Sequence, residues 1–172
     1  MRIAISGKSG CGNTTITRMV SETLGVRMVN YTFRSLAEEK GIEFEQLCQL
    51  AEQDPSWDRY LDARQVELAM EGDSILGSRL AIWMLQEADL KVYLTAPPEI
   101  RAQRIQQREG GDLHAVLEKT SERDRKDRNR YLRLYNIDND DTSAADMVID
   151  TSDKTPAEIT DMIVARAQQL QG

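Results

Sequence analysis

The sequence predicts an α/β fold, a five-stranded parallel sheet with helices on both faces. Three observations predict it. Short apolar β runs alternate with helical patterns along the 172 residues, the order expected of a parallel sheet covered on both sides. The first β run ends in ISGKSGCGNTTIT, residues 5–17, a glycine-rich turn that opens directly into a helical pattern. The length suits one domain with a full hydrophobic core and is short for two.

The elements follow in order. Arg2 to Ser6 is a β run stopped by Gly7, and Ile16, Val20 and Leu24 recur at helical spacing until Gly25. Arg27 to Asn30 reads as a second strand. Three helices are expected next: Phe33–Lys40, ended by Gly41; Phe44–Gln53, ended by Asp54-Pro55; and Trp57–Met70, closing at Gly72. Ser74–Leu76 is a buried strand, followed by a helix over Leu80–Glu87. Leu90–Leu94 is the clearest strand, and Pro97-Pro98-Glu99 is a helix start. Met147–Ile149 is the last strand, and Thr155-Pro156 opens the last helix. There is no internal repeat and no low-complexity segment.

Composition excludes several function classes. A net charge of −7 argues against coating a nucleic acid, which demands a basic surface. No apolar run approaches the ~20 residues that cross a bilayer. The N-terminus lacks the longer apolar segment of a secretory signal, so a cytoplasmic protein is expected. One histidine, His114, removes histidine triads and most zinc chemistry, and Cys11 and Cys48 match no metal or redox spacing.

Residues 7–15 have the spacing of a phosphate-binding loop: Gly7, four residues, Gly12, then Thr14 and Thr15. Glycines 7, 10 and 12 let successive amides, Cys11 among them, turn inward as an anion nest. The helix start adds its unpaired N–H groups, and Thr14 holds the position from which a hydroxyl reaches a Mg²⁺ ion on the phosphates. The lysine usual after the second glycine is replaced by Asn13. Its amide can donate but supplies no charge. Lys8 can fold across the loop mouth or stand as an ordinary surface lysine.

Phosphoryl transfer needs several cations around the moving group. The segment ERDRKDRNRYLR, Glu122 to Arg133, has six basic and three acidic residues, a local balance of +3. A solvated, ion-paired helix is the ordinary reading of such a run. Arg34 follows the second strand and Arg79 the third. Arg64 shares an arc with Trp57, Leu61 and Leu68, where a cation needs a partner or a ligand. Arg101, Arg104 and Arg108 share a helix face.

With these segments assembled, the chain resembles a nucleoside monophosphate kinase, and most closely an archaeal-type cytidylate kinase. The resemblance runs through NYTFRSLAEEKG, LDARQVELA, GSRLAIWML, LKVYLTAPPEIRAQRIQQREG and ERDRKDRNRYLRLYNIDNDD. It implies a P-loop kinase fold in one domain, with nucleotide-binding helices at about 31–72 and a lid at about 110–135. It also implies γ-phosphoryl transfer from ATP, with Mg²⁺, to CMP or dCMP by a cytoplasmic monomer. Arg34 and Arg79 resemble the arginines that hold the acceptor phosphate. Arg64 resembles a reader of the cytosine ring, with Asp62 or Asp58 accepting from its amino group. Arg123, Asp127 and Arg130 match the spaced residues of the lid, and Arg104 is expected to add a phosphate contact. The departures are Asn13 and Leu80, the latter standing where some relatives carry a base-reading acid. A kinase for another small acceptor, or a nucleotide sensor without catalysis, are the other readings.

Overall fold

The computed structural model describes residues 1–172. Five parallel strands, β1 (Arg2–Gly7), β2 (Arg27–Val29), β3 (Ser74–Gly77), β4 (Leu90–Thr95) and β5 (Met147–Asp150), form one sheet in the order β2-β3-β1-β4-β5. β1 lies at the centre, pairing with β3 on one side and β4 on the other. The chain crosses from one half of the sheet to the other at that strand. A crevice therefore opens beyond its carboxyl end, where open α/β sheets bind ligands.

Alternation along the strands sorts the two layers. Ile3 and Ile5 face α1 (Asn13–Leu24) and α8 (Pro156–Gln171), in a core with Ile16, Val20, Val92, Leu94, Ile159 and Ile163. Ala4, Leu76 and Tyr93 face the other way, against Val66 and Ala69 of α4 (Ser56–Met70) and against Ala81, Ile82 and Leu85. A third, smaller core joins α2 (Phe33–Lys40) to α3 (Phe44–Gln53) through Leu36, Ala37 and Leu47. Together α2, α3 and α4 form a helical insertion between β2 and β3.

α6 (Pro98–Glu109) packs against α7 (Leu113–Tyr135), whose 23 residues span about 34 Å. Asp112 caps α7 by accepting from the Ala115 amide. One element differs from expectation. The helix expected over Leu80–Glu87 is only α5 (Ala81–Met84), because Leu85 leaves helical torsions at φ −87° and ψ 77°. Ala81, Ile82 and Leu85 are all buried and the residues between them half-buried. Spacing in so covered a segment has no solvent face by which to mark an end.

Candidate active site

The loop between β1 and α1 is shaped by its glycines. Gly10 and Gly12 have φ of +83° and +85°, and a Cβ on Gly10 would lie 2.7 Å from the Arg101 carbonyl oxygen. A Cβ on Gly7 would lie 2.9 Å from the carbonyl oxygen of Leu94. Only glycine fits either place without moving backbone. The cleft above the loop has no hydrophobic lining and includes Gly7, Gly10, Gly12, Asn13, Thr14 and Thr15.

Behind the loop stand two arginines from α6. Arg101, 3% exposed, donates to the carbonyl of Ser9 at 3.2 Å, to that of Ala96 at 3.1 Å and to Asp124 of α7 at 2.7 Å. Arg104 donates to the Gly10 carbonyl at 3.2 Å and to Thr151 at 2.8 and 2.6 Å. Two loop carbonyls are thus drawn backward, away from the cleft, which favours an anion on the amide side. Arg104, expected at the phosphates, acts from the rear because these acceptors occupy its guanidinium.

Two other expectations for the loop are corrected. The Cys11 amide donates to the Lys8 carbonyl at 3.1 Å, closing a turn, so it is no free member of the nest. Its side chain enters the main core, and burial pushes its thiol pKa up. The Lys8 ammonium does not cross the loop mouth, because it pairs with Asp140. Asn13 accepts from the Thr17 hydroxyl at 3.2 Å, which leaves its amide N–H groups as donors.

A second cavity adjoins the first and shares Ser78, Arg79 and Arg123 with it. α4 contributes Asp58, Leu61, Asp62 and Gln65, at the i, i+3, i+4, i+7 spacing of one helix face. α7 contributes Arg123, Arg130, Tyr131 and Leu134. Asp127, 9% exposed, lies 3.4 Å from Arg79 and 3.2 Å from Arg130, holding the two guanidiniums in one group. Arg130 also lies 3.7 Å from Asp58. Arg79 reaches back to the loop, donating to Ser9 Oγ at 2.8 Å.

Of these cations, Arg123 has no carboxylate within salt-bridge distance. Burial and the neighbouring Arg79 lower its pKa, which marks a charge short of partners. It lines both cavities and also a third between α6 and α7, which includes Arg108, Gly110 and Lys119. On the far wall, Tyr135 donates to Asp62 at 2.6 Å, and burial pushes the Asp62 pKa up to about 6.

The structure leaves Arg34 and Arg64 outside this group. Arg34 stacks on the Phe44 ring at 4.2 Å, on the outer side of α2. Arg64 pairs with Glu67 at 3.0 Å, one step around α4 from the cavity face. Gln65, its neighbour, is the residue that lines the cavity. The face through Asp58, Leu61 and Asp62 extends to Gln65 by helical spacing, a signal that the eye-catching arginine obscured.

Residues 2–153 match a family described as the cytidylate kinase-like family. The chain belongs to that family. It is 46% identical over 167 residues to "Cytidylate kinase 2" of Borreliella afzelii, covering 95% of this chain and 94% of that one. It is 39% identical over 170 residues to the cytidylate kinase of Pyrococcus horikoshii, covering 98% and 88%. In fold it is similar to the shikimate kinase of Bacteroides thetaiotaomicron, with a TM-score of 0.63 at 16% identity over 99% and 98% of the two chains. This member of the cytidylate kinase-like family thus has the five-stranded parallel architecture of P-loop kinases. No helix is long and apolar enough to cross a membrane.

Proposed function

We propose that the protein is a cytidylate kinase that transfers the γ-phosphoryl of MgATP to CMP or dCMP, giving ADP and CDP or dCDP. One observation carries the reading: two cavities meet at Arg79 and Arg123, one floored by a phosphate loop and the other walled by carboxylates and an amide among apolar side chains. The loop amides and the α1 N-terminus hold the donor phosphates. Arg79 holds the acceptor phosphate, and Arg123 and Arg130 stabilise the charge shared between the two chains. An acceptor phosphate oxygen attacks Pγ directly as the bond from Pγ to the β,γ-bridging oxygen breaks, so no side chain serves as nucleophile.

The metal fits as part of the donor. No group of three or more His, Cys, Asp or Glu side chains forms a metal cage, whereas Thr14 offers its hydroxyl in the phosphate cleft. Mg²⁺ commonly binds through substrate phosphates and water with few protein ligands. When bound, it spreads the charge of the β and γ phosphates. Asp62 or Asp58 accepts from the cytosine amino group, as carboxylates do from cytosine N4. Helices at 31–72 form the acceptor-binding part and 110–135 the lid, whose closure excludes water that would hydrolyse ATP. The enzyme is placed by this reading in the cytoplasm as a monomer, acting on free nucleotides.

A coupled assay of nucleoside monophosphates with ATP and magnesium tests this. CMP and dCMP are expected to give the highest kcat/KM, with UMP and the purine nucleotides lower. Efficient turnover of another acceptor without CMP turnover would replace the substrate, and nucleotide binding with no transfer above background would make the protein a sensor.

A further inference from the structure

The second cavity contains one side-chain amide, Gln65, and a backbone carbonyl on the cavity wall fixes its orientation. Gln65 Nε2 donates to the Tyr31 carbonyl at 2.8 Å. That bond occupies one amide N–H and leaves the other N–H and the Oε1 acceptor for whatever fills the cavity. Flipping the amide would set Oε1 against the Tyr31 carbonyl, acceptor against acceptor, with nothing donating between them. Tyr31 is itself tethered, its hydroxyl donating to Glu39 at 2.5 Å.

Position along α4 assigns this amide to the ring end of an acceptor nucleotide. Asp58 is the α4 residue nearest the grouped guanidiniums, through Arg130. Gln65 lies seven residues further on, two turns or about 10 Å along the axis. Asp62 stands between them on the same face, held by Tyr135. Arg79, Arg123 and Arg130 suit phosphate, and the neutral amide beyond them suits a ring edge.

Cytosine presents its amino donor beside the N3 acceptor, whereas uracil presents the O4 acceptor beside an N3 donor. An amide free to flip reads both. One held in a single orientation reads one. We propose that Gln65, locked by the Tyr31 carbonyl, is a specificity-determining residue that selects cytosine over uracil. Its Oε1 accepts from one N–H of the cytosine amino group, the other being left to Asp62 or Asp58, and its own remaining N–H donates to N3. The proposal rests on the reading of this cavity as the acceptor site. It also supplies the base recognition that the buried Leu80 cannot.

Gln65→Leu removes both contacts at similar size. The kcat/KM for CMP should fall about a hundredfold, the loss of two such hydrogen bonds at about tenfold each, while that for UMP stays within about twofold, so the preference collapses. A second measurement needs no variant. The 5′-monophosphate of 3-deazacytidine keeps the amino group and replaces N3 by C–H. It should be about tenfold poorer than CMP with the unaltered protein, and equal to CMP with Gln65→Leu. Equal losses for CMP and UMP in Gln65→Leu, or 3-deaza-CMP turned over as well as CMP by the unaltered protein, would overturn the proposal. Arg79→Met, assayed alongside, separates the two levels. If it raises KM for CMP and UMP alike while Gln65→Leu leaves their ratio intact, only the base reading fails. If it too leaves the CMP KM untouched, the cavity is not the acceptor site and both fall.

Discussion

The loop between β1 and α1 offers its positive potential through backbone, whereas α4, α7 and the end of β3 offer theirs through side chains. The loop is set by two left-handed glycines, a close approach to Leu94, and two arginines that pull its carbonyls to the rear. The guanidiniums of Arg79 and Arg130 are set instead by Asp127, and Arg123 has no carboxylate within salt-bridge distance. A backbone nest is preorganised and does not depend on the identity of one side chain. A side-chain clamp can, under the proposed function, exchange its carboxylates for phosphates as substrate binds. Under the proposed function this division makes the neutral Asn13 tolerable, because the loop need only cradle while the clamp supplies the charge.

If so, the largest effect belongs to the clamp. Arg123→Met is expected to lower kcat by about 10³-fold, the lower end of what a transition-state arginine contributes. Its KM for ATP and its melting temperature should stay close to those of the unaltered protein, since the guanidinium has no carboxylate to leave unpaired. A fall below tenfold in single-turnover measurements would move the catalytic charge to Arg79 and Arg130.

The loop should break differently. Gly10→Ala must adopt a φ near +83° and push against the backbone of Arg101 at 2.7–2.9 Å. A left-handed alanine alone costs about 1–2 kcal/mol, and the contact adds to it, so a loss of about 3 kcal/mol of stability is expected by urea unfolding. ATP affinity should fall with stability, while CMP affinity measured in the absence of ATP changes little. Equal loss of both affinities would mean that the two regions are not separable.

The two regions also differed in how far the sequence revealed them. Glycine spacing, strand-to-helix context and Thr14 are local features, so the loop was legible, as were the strands and nearly every helix. The clamp depends on which face of α4 meets α7, a tertiary fact. Arg34 and Arg64 stood out as charges in their segments, yet Phe44 and Glu67 take them. The family resemblance named Asp62, whereas Gln65 was reachable only by following the helical face beyond Asp58, Leu61 and Asp62. The rear brace was hidden for a similar reason: Arg101 and Arg104 lie some ninety residues from the loop and meet it only through the packing of α6.

Within the clamp, Asp62 yields a pH prediction. Its folded pKa of about 6 lies above the ordinary carboxylate value through burial, although the Tyr135 hydroxyl acts in the opposite direction. A raised pKa means the folded state holds the proton more tightly. The stabilisation it gives is full below about pH 4 and is lost as pH rises through about 6. Asp62→Asn should therefore be more stable than the unaltered protein at pH 7.5, by at most about 2–3 kcal/mol, with the gap closing towards pH 4. The same variant should lose only a few-fold of its CMP preference above pH 6, where the carboxylate is the better acceptor for the second N–H of the amino group. Melting temperatures across pH 4–8 check the first expectation, and CMP against UMP kinetics the second.

The smallest effect is expected at Lys8. Its partner Asp140 also lies 3.2 Å from Arg128, and all three side chains are partly exposed. Such pairs contribute about 0–1 kcal/mol. Lys8→Ala should therefore leave kcat and both KM values within about twofold. The companion change, Asn13→Lys, restores a lysine at the usual place but takes from the buried Thr17 hydroxyl its acceptor. It should not raise kcat. A tenfold fall in kcat for Lys8→Ala at unchanged KM would show the ammonium leaving Asp140 for the phosphates during turnover. The charge missing at position 13 would then have moved along the loop rather than into the clamp, and the separation between the two regions would not hold.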